Sequence, residues 1–368
     1  MTATLTLDAP QIEGRISEAL EAVETRLLEV VSSADETINP PTSHLAAAGG
    51  KRLRPTLTLL TAQLGDPVLA AGEQVRDAGV AVELTHIATL YHDDVMDEAP
   101  LRRGAPSAQT VWGNSAAILT GDVLVARASQ LVAALGPEAV LAHARTFERL
   151  CMGQLHETLP RPAASDPVEH YIQVLADKTG SLTAVSARYG AMLTRAGAGV
   201  EALVQDFGEK IGVAFQLADD VIDLTSDSAT TGKTPGTDLR EGVETMPVLL
   251  LRQALAAGEL DAAGQSILSA LSTMDLCDDV VLAGVVARLR EHPVLARTRQ
   301  MALSWAREAV AALEGLEEAT LAGTCERLAG DGIQAQGAQS VLAEAGERAR
   351  VVRDAMEQFA HLLVDRAA

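Results

Sequence analysis

Apolar positions recur at three- and four-residue spacing along nearly the whole chain, and an alternating, period-two pattern is almost absent. Residues 11–35 read as an amphipathic helix that ends before Asn39-Pro40-Pro41. Ser43 is placed to cap a short helix ending at Gly49-Gly50. Pro55 opens the next helix, which runs to about Gly65, and Asp66-Pro67 repeats the opening signal. A long apolar pattern extends from Glu73 to Asp97 and breaks at Ala99-Pro100. Further helices are expected over 107–134, 138–158, 167–196 and 200–224. After a loop-like stretch from Gly232 to Gly242, others follow over 246–256, 262–272, 278–291 and 294–313. The segment 315–350 is rich in Ala, Glu and Gly and only weakly amphipathic, which suits an added helical hairpin or a flexible insertion. A last amphipathic helix covers 351–366. The pattern predicts an all-α protein, with 1–368 as one large domain.

Composition agrees. Apolar residues make up 48% of the chain and good helix formers dominate, while Phe, Trp and Tyr number only four, two and three. A formal net charge of −21 argues against a nucleic-acid binder and fits an acidic cytoplasmic protein. Cys151, Cys277 and Cys325 lie far apart without a CxxC pair and read as reduced, buried thiols. No signal peptide and no membrane span are expected.

Two acidic clusters interrupt the apolar runs. His92-Asp93-Asp94-Val95-Met96-Asp97-Glu98 puts the Asp93 and Asp97 carboxylates one turn apart on one helix face. Phe215-Gln216-Leu217-Ala218-Asp219-Asp220-Val221-Ile222-Asp223 repeats the arrangement with Asp219 and Asp223, and Gln216 sits one turn earlier. Like charges at that spacing repel, so a structural helix gains nothing from them. Hard divalent cations would justify them, since Mg²⁺ takes one or two carboxylates plus substrate phosphates. Two facing clusters of this kind would grip a metal–diphosphate cluster between them.

Basic residues fall where such a substrate needs them. Of 29 basic residues only four are Lys, and three of those lie in motif-like segments. Gly49-Gly50-Lys51-Arg52-Leu53-Arg54-Pro55 sets three cations beside a glycine pair at a helix start. Pro100-Leu101-Arg102-Arg103-Gly104, Lys178-Thr179-Gly180 and Gly232-Lys233-Thr234 complete the set.

Together the segments GGKRLRP (49–55), HDDVMDEAPLRRG (92–104), KTGSL (178–182), FQLADDVID (215–223) and GKTPGTDLREG (232–242) closely resemble the trans-polyprenyl diphosphate synthase family. The resemblance covers about Ser43 to Leu313 plus the last helix. It implies an isoprenoid synthase-like bundle around a deep central cavity, and a homodimer. The implied activity is stepwise addition of isopentenyl diphosphate to an allylic diphosphate such as farnesyl or geranylgeranyl diphosphate. It also implies Mg²⁺, three ions with the substrate diphosphate, held by Asp93, Asp97, Asp219 and Asp223. Asp94 and Asp220 complete the two catalytic clusters. Lys51, Arg54, His86 and Arg103 match isopentenyl diphosphate positions. Arg102, Lys178, Thr179, Gln216 and Lys233 match allylic-substrate positions. Two departures stand out: Val243 where the family usually carries lysine, and Gly180 where alanine is common.

The prenyl chain is expected to grow from the first cluster along its helix, past Thr89 and Ala88, then Thr85 and Ala81. In short-chain members bulky aromatics form a floor there. Small residues predict a product beyond C20, about C30 to C50, with a C15–C20 product as the alternative. A terpene cyclase would use aromatic faces against its cations, and this chain has few. A non-catalytic heteromer subunit would have lost carboxylates, and a plain helical scaffold leaves both clusters unexplained.

Overall fold

The computed structural model describes residues 10–162, 165–225, 235–332 and 335–365, and these are almost entirely helical. A two-stranded ribbon, Leu101–Arg102 paired antiparallel with Ala105–Pro106, is the only sheet among them. The chain divides into two units.

The first unit takes residues 1–148, 182–208 and 310–359. It begins with α1 (Pro10–Val31), α2 (Asn39–Ala47), α3 (Leu53–Ala62), the single turn α4 (Pro67–Ala70) and α5 (Glu73–Met96). α2 starts earlier than Ser43: Pro40 and Pro41 sit in its first turn, where a missing N–H costs nothing, and Ser43 lies inside it. After the ribbon come α6 (Ala108–Trp112) and α7 (Asn114–Ala134), parted at Gly113, whose φ of 84° favours glycine. α5 is the central element, buried from Val75 to Tyr91 on most of its surface. α7 lies so close to it that a Cβ on Gly121 would stand 2.3 Å from His92 Nε2. α8 (Pro137–Thr158) follows, with its residues up to Glu148 in this unit.

The second unit takes residues 149–181, 209–309 and 360–368. It holds the rest of α8, α9 (Pro167–Leu175) and a π-helical turn at Ala176–Gly180, which leads into α10 (Ser181–Leu193). α11 (Ala198–Thr225) carries the second aspartate cluster. Beyond it come the single turn α12 (Thr237–Arg240), α13 (Met246–Ala257), α14 (Ala262–Thr273), α15 (Asp279–Glu291) and α16 (Pro293–Ala311). The weakly patterned segment after Leu313 is also helical, as α17 (Leu316–Gly330) and α18 (Ala335–Val364), and up to Phe359 it belongs to the first unit.

One further sequence expectation changes. The three cysteines are free but exposed rather than buried; Cys151 and Cys325 lie on the solvent side of amphipathic helices, and Cys277 in the turn between α14 and α15. One helix among the described residues, α7, is long and apolar enough to cross a membrane by length and composition. It nonetheless carries Asp122 and Arg127 and buries Thr120, Gly121, Leu124 and Ala128 within its own unit.

Candidate active site

In the first unit the site grows out of α5. Near its C-terminal end His86, Leu90 and Asp93, and Asp97 at the C-cap, are accessible at three- and four-residue spacing on one face, with Thr89 beside them; His92, Val95 and Met96 are accessible around the same turn. Ala88, Thr85 and Ala81 are at most 1% exposed, so among the expected chain-length positions only Thr89 reaches accessible space. Thr85 and Thr89 turn their hydroxyls back to the Ala81 and His86 carbonyls. That leaves a methyl-bearing, apolar outer surface at Thr89.

Asp94 points away from its neighbours. It is fully buried, and Arg102 Nε donates to its Oδ1 at 2.5 Å. Burial pushes its carboxyl up and the Arg102 charge pulls it back. Its Oδ2 is buried without a hydrogen-bond partner among the described residues, an unmet acceptor beside Asp93 and Asp97. Arg102, expected on the allylic substrate, thus also braces the cluster.

The three cations of the GGKRLRP segment are not equivalent. Arg52 has φ 50° and a guanidinium only 2% exposed. It pairs with Glu24 at 2.6 Å and Glu83 at 2.7 Å and donates to the Ala46 carbonyl. It therefore shapes the loop. Breaking such a buried pair costs about 3–5 kcal/mol. Gly50 is required beside it, because a Cβ there would lie 2.9 Å from Arg52 Nη1 and 3.1 Å from Arg103 Cζ. Lys51 is left exposed on the same loop.

Arg54 in the first turn of α3, His86 on α5, and Arg102 and Arg103 of the ribbon gather in one place. Arg103 donates to the Leu45 and Gly49 carbonyls and lies 3.6 Å from Glu83. Arg54 Nε is buried with no hydrogen-bond partner among the described residues, a donor prepared for an anion. Burial holds the His86 imidazole well below its ordinary value, and Arg54, Arg103, Arg102 and Arg52 push it the same way. A histidine depressed in the folded state is neutral above its unfolded pKa in both states, so it costs nothing there. As pH falls below about 6.5 the unfolded chain takes up a proton that the folded one refuses, and stability is lost. Melting temperature should therefore fall more steeply between pH 7 and pH 5 in the wild type than in His86→Gln. Equal slopes would show that the imidazole does not sense the arginines.

In the second unit, Gln216, Asp219 and Asp223 are half-buried at three- and four-residue spacing on α11. Asp223 anchors the turn before α12: its carboxylate accepts the Thr237 N–H at 3.2 Å and its carbonyl the Gly236 N–H at 2.9 Å. Asp220 faces the other way, 5% exposed. Both its oxygens accept from Tyr171 Oη at 3.1 Å, and Oδ2 also accepts the Met246 N–H. Burial raises both its carboxyl and the Tyr171 hydroxyl well above their usual values. Asp220 thus ties α11 to α9 and α13.

Lys178 and the buried Thr179 sit on the π-helical turn, a distortion common at functional sites. One face of α8 holds that turn. Arg149 Nε donates to Asp177 Oδ1 at 2.7 Å and its Nη1 to Glu209 Oε2 at 2.7 Å. One turn on, Gly153 admits the backbone, since a Cβ there would stand 2.9 Å from Asp177 Cβ. One turn further, Glu157 pairs with Lys178 Nζ. Gly180 has its own reason: a Cβ on Gly212 would lie 2.6 Å from its Cα, and one on Gly180 3.0 Å from the Glu209 carbonyl. Sequence reasoning missed Arg149, Glu157 and Tyr171; the four-residue spacing of Arg149, Gly153 and Glu157 was the available signal. Val243 lines a cleft of about 320 Å³ with Tyr171 and Arg161, so an arginine borders the place where lysine is absent. Lys233 lies outside the described residues.

Among the described residues no three His, Cys, Asp or Glu side chains form a ready-made metal cage. Mg²⁺ relies on few carboxylates and on substrate phosphate. The hard carboxylate oxygens that each cluster leaves accessible suit such an ion.

An all-α chain with two such carboxylate helices and a collar of arginines has the equipment of a prenyltransferase. Residues 35–269 match the polyprenyl synthetase family model. A nonaprenyl diphosphate synthase of Mycobacterium tuberculosis is 43% identical over 301 residues, 82% of this chain and 86% of that one. A geranylgeranyl pyrophosphate synthase from Corynebacterium glutamicum, solved with calcium and isoprenyl diphosphate, superposes with a TM-score of 0.75 at 34% identity. That match covers 99% of this chain and all of the other. A decaprenyl diphosphate synthase from Rhodobacter capsulatus gives 0.74 at 28%, covering 98% and 99%. The chain belongs to the polyprenyl synthetase family.

Proposed function

We propose that the chain condenses isopentenyl diphosphate head-to-tail onto an allylic diphosphate, farnesyl or geranylgeranyl diphosphate, to give a linear all-trans product longer than C20. The observation that carries the reading is the accessible stripe of α5, where His86, the small side chain of Thr89 and the Asp93 carboxylate follow one another toward Asp97 at the C-cap. Asp93 and Asp97 on one helix, and Asp219 and Asp223 on the other, would hold Mg²⁺, three ions with the substrate diphosphate. When bound, the ions neutralise charge on the departing diphosphate. Arg102, Lys178 and Lys233 bind the allylic diphosphate, whose C–O bond breaks to leave a carbocation. The Thr179 hydroxyl and Gln216 amide would stabilise it by their dipoles. Lys51, Arg54, His86 and Arg103 hold isopentenyl diphosphate so that its double bond attacks. The proton then lost passes to the released diphosphate. The relatives named nonaprenyl and decaprenyl diphosphate synthases support the long product.

The test is an incubation of the purified chain alone with Mg²⁺, labelled isopentenyl diphosphate and each primer, with products dephosphorylated and sized. A ladder ending beyond C20 supports the reading, and an end at C15 or C20 places a floor elsewhere. No product from folded protein means a partner chain is required.

A homodimer is supported by the apolar residues that α7 and the start of α8 leave exposed: Ile118, Leu119, Val123, Val140 and Leu141. Leu119→Asp with Val123→Asp should reduce the sedimenting mass from twice 38.5 kDa to 38.5 kDa. An unchanged mass would assign the interface to another surface. The acidic composition and three unpaired thiols support a cytoplasmic enzyme.

A further inference from the structure

The helices after Leu313 bury a cationic cluster that the proposed reaction does not use. α17 docks on the turn before α11 so tightly that a Cβ on Gly323 would lie 1.9 Å from the Ala196 carbonyl oxygen. The adjoining face of α17 buries Thr324 and Arg327, 1% and 6% exposed. Arg327 Nε stands 3.8 Å from Asp66 Oδ2, too far for a hydrogen bond. Arg348 of α18 reaches the same place, its Nη2 3.5 Å from the Gly65 carbonyl oxygen. Arg327 Nη1, Arg348 Nε and Thr324 Oγ1 are all buried without a hydrogen-bond partner among the described residues.

Neutralisation nearby is thin. Asp66 turns its Oδ1 to the Val68 and Leu69 N–H groups as the cap of α4. Burial and the Arg327 charge hold the Arg348 guanidinium below its ordinary value; Arg15 adds to this, and Glu344 and Asp66 oppose it. A buried and a half-buried guanidinium side by side, facing one capped and one exposed carboxylate, form a costly arrangement unless an anion completes it.

We propose that Arg327, Arg348 and Thr324, at the Gly65–Asp66 junction, form a binding site for a phosphoryl oxyanion. Arginine forks match phosphate oxygens in geometry and charge. Three separate donors suit a tetrahedral oxyanion, which offers more acceptor oxygens than a carboxylate. Free phosphate and free diphosphate are the two sources of that chemistry. The arginine Arg15 lies at the solvent side, where it draws the anion in.

Isothermal titration of the full-length chain in EDTA with inorganic phosphate, and separately with diphosphate, tests the site. Arg348→Gln and Thr324→Val are compared with the wild type and with Arg103→Gln, which disables the proposed substrate collar. The expected result is binding to wild type and Arg103→Gln, weakened about tenfold or more in Arg348→Gln. Chain elongation without added anion should be unchanged in Arg348→Gln, which also shows that this variant folds. The tighter of the two anions identifies the source. No binding of either anion to wild type overturns the proposal. So does binding that survives in both Arg348→Gln and Thr324→Val, or that is lost only in Arg103→Gln.

Discussion

Asp93→Ala should lower kcat/KM for chain elongation by about a thousandfold or more while leaving the protein folded. Asp93 lies on the accessible face of α5, half-buried, so its loss opens no cavity in the core. In the proposed reaction Asp93 holds the ions that neutralise the departing diphosphate, which matters most when the C–O bond breaks, so kcat should fall with kcat/KM. Asp219→Ala on α11 should behave alike. Asp94→Asn is the informative contrast. It strikes a buried carboxylate clasped by Arg102, so it should lower the melting temperature as well as the rate. Steady-state kinetics beside a thermal melt check all three. Activity within tenfold of wild type in Asp93→Ala would exclude the first cluster from the chemistry.

Thr89→Phe should convert a long-chain product into one of C15 to C20, and Ala88→Phe should not do so cleanly. The two positions differ by one step of about 100° around α5, and that step separates accessible from closed. Thr89 retains exposed surface, so a phenyl ring there can stand in the path of a growing chain. Ala88 has none, and a ring forced into that packed interior should destabilise the fold by about 1–3 kcal/mol or more. Sizing the dephosphorylated products and melting each variant separates the cases. A full-length ladder from folded Thr89→Phe would mean that the chain takes a route away from this stripe.

These contrasts also mark what the sequence could and could not disclose. Helices were legible because burying one face imposes a period of 3.6, and both aspartate clusters because repulsive carboxylates on one face need an explanation. The π-helical turn was hidden, since Ala-Asp-Lys-Thr-Gly is an acceptable stretch of ordinary helix until Gly153 and Gly212 crowd it. Lys51, Arg52 and Arg54 look alike in sequence; only Glu24 and Glu83, distant along the chain, turn Arg52 into a structural strut. Asp94 and Asp220 were legible as cluster members, but their opposite orientation followed from Arg102 and Tyr171, which no local spacing reveals. The carboxyl-terminal arginines were opaque, because burial is decided by how α17 and α18 dock.

The pairing of Lys178 with Glu157 bears on turnover. In the proposed reaction the lysine never goes from solitary to occupied; it trades an internal anion for a visiting one. The affinity it lends a diphosphate is then the difference between two ion pairs, smaller than either. An elongating synthase gains from such thrift: each cycle ends with a spent diphosphate that must leave. A carboxylate waiting to reclaim its partner eases that departure.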